Sequence, residues 1–197
     1  MRWRALLVVL VVLPLAACLD MDLTLKPDGA VAGTISWTST SKLPEQGARA
    51  LLAHKDVTIK KLELKDVDVP SPGIFGTKTT PGQRVTAEVE APNAAALVAI
   101  PLLKSLGASA VVATPEADKR TLTVRAARNE ALGSIPDTES VVRLHLPGPV
   151  TQTTAEASGN DVTWKVPAAD FKKKPSVEMS VSYTVPNPPA ATPPANP

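Results

Sequence analysis

The cysteine at position 18 is the only one in the 197-residue chain, and its place constrains everything after it. It ends an apolar run, Ala5 to Ala17, that follows Arg2 and Arg4 and closes in Leu15-Ala16-Ala17. A basic start, an apolar stretch and small closing residues are the layout of a secretory signal. The run is about 13 residues, too short to cross a bilayer of roughly 30 Å as a helix. With no second cysteine there is no disulfide, so the exported chain must be held by a buried core.

Leu15-Ala16-Ala17-Cys18 also has the form of a bacterial lipobox, in which the cysteine is acylated before the chain is cut between Ala17 and Cys18. An ordinary signal followed by an incidental cysteine is the alternative, but a lone thiol in a secreted chain is unusual. The expectation is therefore a signal peptide over 1–17 and a palmitate-bearing Cys18 that fixes the domain to a membrane. The folded domain is expected over 18–185. From Pro186 onward six prolines stand among alanine, asparagine and threonine, so 186–197 is expected to be a disordered, proline-rich tail.

Loss of Arg2 and Arg4 with the leader leaves 19 basic against 19 acidic residues. A neutral chain with few aromatic residues lacks the basic, stacking surface of a nucleic-acid binder, so no nucleic-acid partner is expected.

The pattern after Cys18 is mostly that of strands. Met21, Leu23 and Leu25 alternate with polar residues, Pro27-Asp28-Gly29 turns the chain, and Val31, Ile35 and Trp37 alternate again: a hairpin. It begins so soon after Cys18 that it must sit near the lipid surface. Leu43 to His54 reads as a helix with Ser41 as N-cap. Along Val57 to Val69 the apolar phase slips twice, which predicts one long strand with bulges near Lys60-Lys61 and Lys65-Asp66. Pro70 to Gly82 reads as a loop, and Arg84 to Ala91 as a strand. Asn93 to Leu106 reads as a second helix, apolar nearly all round and kinked at Pro101. A hairpin around 115–120, an irregular stretch with Gly133 and Pro136, and several strands up to Val185 complete the chain. The predicted fold is α+β: a mainly antiparallel, twisted sheet of about eight strands with two helices, after a lipoprotein signal peptide.

The inventory for catalysis is poor. His54 is expected near the end of the first helix and His145 on a solvent-facing strand position, and no serine stands in a nucleophile elbow. Asp56, Asp66 and Asp68 lack the loop or histidine partners of a metal site, and Lys172-Lys173-Lys174 reads as a charged loop. No enzyme activity, cofactor or metal is expected. The second helix carries the functional weight, since a helix apolar on every face must be covered by the protein or by a ligand. Spacing assigns Leu97, Ile100 and Leu103 to the sheet, and Val98, Leu102 and Leu106 to an apolar ligand.

Leu144-His145-Leu146-Pro147-Gly148-Pro149-Val150, followed by Ser158-Gly159-Asn160-Asp161-Val162-Thr163-Trp164, resembles the closing strands of LppM-type bacterial lipoproteins. The lipobox and the hairpin from Leu23 to Trp37 fit the same resemblance. It implies a non-enzymatic envelope lipoprotein on the extracytoplasmic face of a membrane, with a domain similar to lipid-binding domains and a lipid as ligand. The chain departs in ending polar and proline-rich, where such proteins often end in a membrane helix. An envelope scaffold that contacts an unidentified protein is the alternative.

Replacing Cys18 tests the anchor. Cys18→Ala is expected to abolish incorporation of radiolabelled palmitate and to leave the chain unprocessed or released; a variant that fractionates with membranes like the parent chain refutes the lipobox.

Overall fold

The computed structural model describes residues 19–73, 76–116, 118–127 and 139–185. Ala17, Cys18, the leader, the proline-rich tail and the stretch around Gly133 and Pro136 lie outside the described residues.

The N-terminal hairpin forms as its alternation requires. β1 (Leu19–Leu25) pairs antiparallel with β2 (Val31–Ser39), from Leu19 opposite Trp37 to Leu25 opposite Val31. Gly29 adopts φ 93°, a conformation that suits glycine, while Asp28 Oδ1 accepts from Ala30 N at 3.0 Å. Leu19, Met21, Leu23 and Leu25 all point into the core.

β3 (Thr58–Gly73) and β4 (Gly76–Ala91) extend this hairpin into a sheet through β2. On the other side β1 pairs with β7 (Glu139–His145), the parallel pairing among the described strands. β10 (Asp161–Pro167) and β9 (Glu156–Ser158) complete a mixed seven-stranded sheet in the order β3-β4-β2-β1-β7-β10-β9. A four-stranded antiparallel sheet follows the order β5-β6-β11-β8, built from β5 (Ala108–Glu116), β6 (Lys119–Ala127), β8 (Val150–Thr153) and β11 (Ser176–Thr184). The inner faces of both sheets share one core, which includes Ile35, Trp37, Val89, Leu144, Val162 and Val181. Among its members the Trp37 indole N–H is buried with no hydrogen-bond partner, an arrangement that costs about 1–3 kcal/mol.

The helices are four and short among the described residues, rather than two. α1 (Glu45–Leu52) buries Ala48 and Leu52 as its spacing indicates, but its N-cap is Pro44 and Ser41 makes no cap. Instead, Gln83 Oε1 accepts from Leu43 N at 3.0 Å and Ser39 Oγ from Ser41 N at 3.2 Å, so buried polar groups of the sheet hold the chain that enters the helix. The expected second helix is two: α2 (Ala94–Val98), capped by Asn93 on Ala96 N at 2.8 Å, and α3 (Pro101–Ser105). Pro101 breaks the helix rather than kinking it, because a residue before proline is driven out of the helical region; Ile100 sits at φ −61°, ψ 145°. Pro101 then starts α3 where a missing N–H costs nothing. α4 (Ala168–Lys173) replaces part of the expected lysine loop.

Of the two phase slips in β3, the first is a bulge, with the register shifting between Ile59 and Lys61. The second is not: Lys65 faces Arg84 and Asp66 faces Gln83 in unbroken register, although Lys65 and Asp66 are both exposed. At that level β2 ends, opposite Gln83, so the strand no longer has a sheet to give it one buried side. The expected loop from Pro70 to Gly82 is likewise paired strand, Pro70 opposite Thr79 and Gly73 opposite Gly76. The expected sheet of eight strands is thus eleven strands in two sheets among the described residues.

Gly33 lies where β2 runs tight against β1: a methyl group there would collide with the Asp22 carbonyl oxygen and the Leu23 Cα, and its φ is 154°. Gly33→Ala is expected to cost about 2–3 kcal/mol. For a domain of this size that lowers the thermal midpoint by roughly 5–10 °C in a calorimetric scan.

Candidate functional site

Where α2 and α3 cross the space between the two sheets, the core does not close. The cavity left there is small, about 60 Å³. Met21, Leu23 and Val31 line it from the N-terminal hairpin, and Val142, Leu144 and Trp164 from β7 and β10. Leu122, Val124 and Met179 face it from the smaller sheet, and Ala94, Leu97, Val98 and Leu103 from the helices. Every lining side chain is apolar apart from the Trp164 indole, whose Nε1 donates to Thr154 Oγ1 at 3.1 Å. Such a space stays dry and suits hydrocarbon.

The helix break rearranges the two stripes read from spacing. Val98, assigned to a ligand, does line the cavity. Leu102 is fully buried and Leu106 half-buried, and neither is among the lining residues. Leu106 packs on Ala168 of α4 as well as on the main core. Leu97 and Leu103, assigned to the sheet, line the cavity, whereas Ile100 is buried outside it. A single helix of period 3.6 puts positions 98, 102 and 106 on one side. Restarting the helix at Pro101 rotates the second turn, so Leu103 faces the cavity with Val98. The strand contributions, Met21, Leu23, Leu144 and Trp164 above all, carried a signal only in their inward alternation, which marks core and cavity lining alike.

On its other face the seven-stranded sheet is polar. His145 stands between two carboxylates from neighbouring strands, with Nδ1 2.7 Å from Asp161 Oδ1 and Nε2 2.9 Å from Asp22 Oδ1. The bond to Asp161 above all, opposed by partial burial and aided by Asp22, raises its pKa above the ordinary histidine value. The carboxylates sit on opposite ring nitrogens, so they do not converge on one cation, and no metal-holding cluster occurs among the described residues. Beside them Arg84 reaches Asp20 at 2.8 Å.

The remaining titratable candidates stay apart from the cavity. His54 lies past the end of α1, where its Nδ1 accepts from Asp56 N at 3.3 Å; it does not occupy the last helical turn. Asp66 pairs with Lys42 at 2.6 Å, and Lys174 with Asp170 at 2.8 Å. Among the described residues no helix is long and apolar enough to cross a membrane.

The model of the LppM domain family matches residues 18–183. Of solved structures, the folded domain of LppM from Mycobacterium tuberculosis, determined by NMR, is similar over 86% of this chain and 90% of that one, at 17% identity and a TM-score of 0.46. No curated protein matches significantly.

The His145 bridge has a definite pH signature. A pKa raised by folding contributes stability that is complete below the unfolded value of about 6.5 and is lost as the pH rises through the folded one. Because the group is half-exposed, the contribution is expected to stay below about 1 kcal/mol. By NMR, the His145 titration midpoint is expected above 6.5, and Asp161→Asn should lower it more than Asp22→Asn; equal midpoints in all three proteins exclude the bridge.

Proposed function

We propose, for a chain that belongs to the LppM domain family, the role of a lipid-anchored envelope protein whose domain takes an apolar ligand between its two sheets. Acylation at Cys18, followed by cleavage behind Ala17, holds the domain on the extracytoplasmic face of a membrane, and the domain acts there by binding rather than by catalysis.

The cavity carries this reading. Its lining comes from both sheets and both helix fragments, and it offers a ligand neither charge nor a free hydrogen-bonding group. Left empty, about 60 Å³ of void costs on the order of 1 kcal/mol, which an apolar occupant recovers. The occupant it suits is a hydrocarbon chain whose polar end stays outside. Pockets for whole small ligands run to about 300–1,000 Å³, so a longer chain must widen the space. Val98, Val124 and Met179 are the half-buried members of the lining, and a methionine adapts to such a change.

The small open volume also supports a second reading, an envelope scaffold with a solid core that contacts another protein. Uptake of a fluorescent fatty acid or phospholipid by the mature chain decides between them. Val98→Phe fills the cavity from its half-buried side and is expected to cut uptake at least tenfold without lowering the thermal midpoint. Leu102→Ala, at a closed core site, should cost about 4 kcal/mol and leave uptake intact. Leu103→Ala, beside existing space, should cost nearer about 2 kcal/mol. A parent chain that takes up no probe replaces the lipid-binding reading with the scaffold.

A further inference from the structure

The two ends of the seven-stranded sheet differ, and the difference falls at the anchor. Leu19 lies opposite Trp37, Trp37 opposite Val85, and Val85 opposite Leu64, so these four residues mark one level across four strands. Cys18 precedes Leu19 in the chain, which keeps the anchor point within about 3.8 Å of that level. β2 ends two residues further, at Ser39, and β10 ends at Pro167 opposite Glu139, the first residue of β7. β3 and β4 do not stop there. They stay paired from Val67 opposite Gly82 to Gly73 opposite Gly76, with no other described strand beside them. The nine residues from Lys65 to Gly73 reach up to about 30 Å beyond the anchor level.

We infer that this hairpin arm is a second membrane contact, lying in the headgroup layer of the bilayer that holds the acyl chains of Cys18. The inference rests on the lipidation proposed above, and three observations carry it.

The first is direction. β1 runs away from the anchor and β3 runs towards it, so the arm extends past the sheet on the side where the bilayer must be, and there is no tether to lift the domain clear. The second is composition. From Thr58 to Asp66 the strand carries Lys60, Lys61, Glu63, Lys65 and Asp66, whereas from Val67 to Gly82 the charges are Asp68 and Lys78 alone. The drop comes where the arm leaves the sheet. Val69 is buried against Gly82, yet stands outside the main core. The third is stability. A two-stranded hairpin is marginal by itself in water and needs a surface to lie on. Its two open edges bar it from hydrocarbon, where unpaired N–H and C=O groups are not tolerated. Pro70, Pro72 and Pro81 each remove one donor from it, and the headgroup layer supplies water and phosphate to the rest. α4 starts at the same level, just after Pro167, and brings Phe171 and the exposed Lys173 to this end.

The lipidated full chain, purified and reconstituted in phosphatidylcholine–phosphatidylglycerol vesicles, tests the arm. Thr79→Cys on the arm and Asp28→Cys in the turn at the opposite end each offer one reactive thiol, since acylated Cys18 does not react, and both sites are exposed. With an NBD label, the Thr79→Cys emission is expected to shift to the blue on reconstitution and to be quenched at least threefold more by headgroup spin-labelled lipid than that of Asp28→Cys. A chain that floats with the vesicles but whose two labels behave alike overturns the arm contact and leaves the anchor standing. Disulfide crosslinking between two Thr79→Cys chains without lipid quenching also overturns it, in favour of pairing between copies. A chain whose mass shows no acyl group and which stays in the aqueous fraction removes the anchor, and the arm contact with it.

Discussion

Strand β1 is the joint on which the fold depends. It pairs antiparallel with β2 on one side and parallel with β7 on the other, so it ties the first third of the chain to the last. Parallel strands cannot be joined by a tight turn. Everything between, including both helix fragments and the β5–β6 hairpin, is the crossover between β1's hairpin and β7. The inward residues of β1 serve two roles at once: Leu19 and Leu25 belong to the closed core, and Met21 and Leu23 to the cavity lining. A fault that displaces β1, such as a side chain at Gly33 of β2 pressed against Asp22 and Leu23, is felt by the sheet and the cavity together.

One proline gives the cavity its shape. An unbroken helix over 94–105 would carry Leu102 towards the same side as Val98. Pro101 forbids that continuation, and the restarted turn points Leu103 into the space and Leu102 into packed core. Two short helices also cover less of the gap between the sheets than one rod would, and the core stays open at that place.

The polar face of the large sheet and the cavity are separated by one layer of strand, with alternate residues serving each. Asp22 reaches His145 on the outer face while Met21 and Leu23 face inward. Side chains that titrate are therefore kept out of the cavity by the period of two along a strand.

Strict alternation told most of what was legible in the sequence. The N-terminal hairpin, its Pro27-Asp28-Gly29 turn, the strand over Arg84 to Ala91 and the first bulge of β3 follow from a local rule, since a strand with one buried side must alternate and a bulge must break the alternation. The family was legible too, in the Pro147-Gly148 and Val162-Thr163-Trp164 segments, and its model extends over 18–183. Other features depended on what stood alongside. The phase slip at Lys65-Asp66 looks like a bulge in one strand and proves to be the place where the neighbouring strand ends. The proline- and glycine-rich stretch after Val69 reads as a loop because those residues disfavour a sheet interior, yet an arm with open edges accepts them. Which apolar residues fill the core and which line a cavity was decided by tertiary structure alone. Burial from water is a property a side chain carries in its own chemistry, but an unfilled space is a property of several elements meeting, and no single element's period records it.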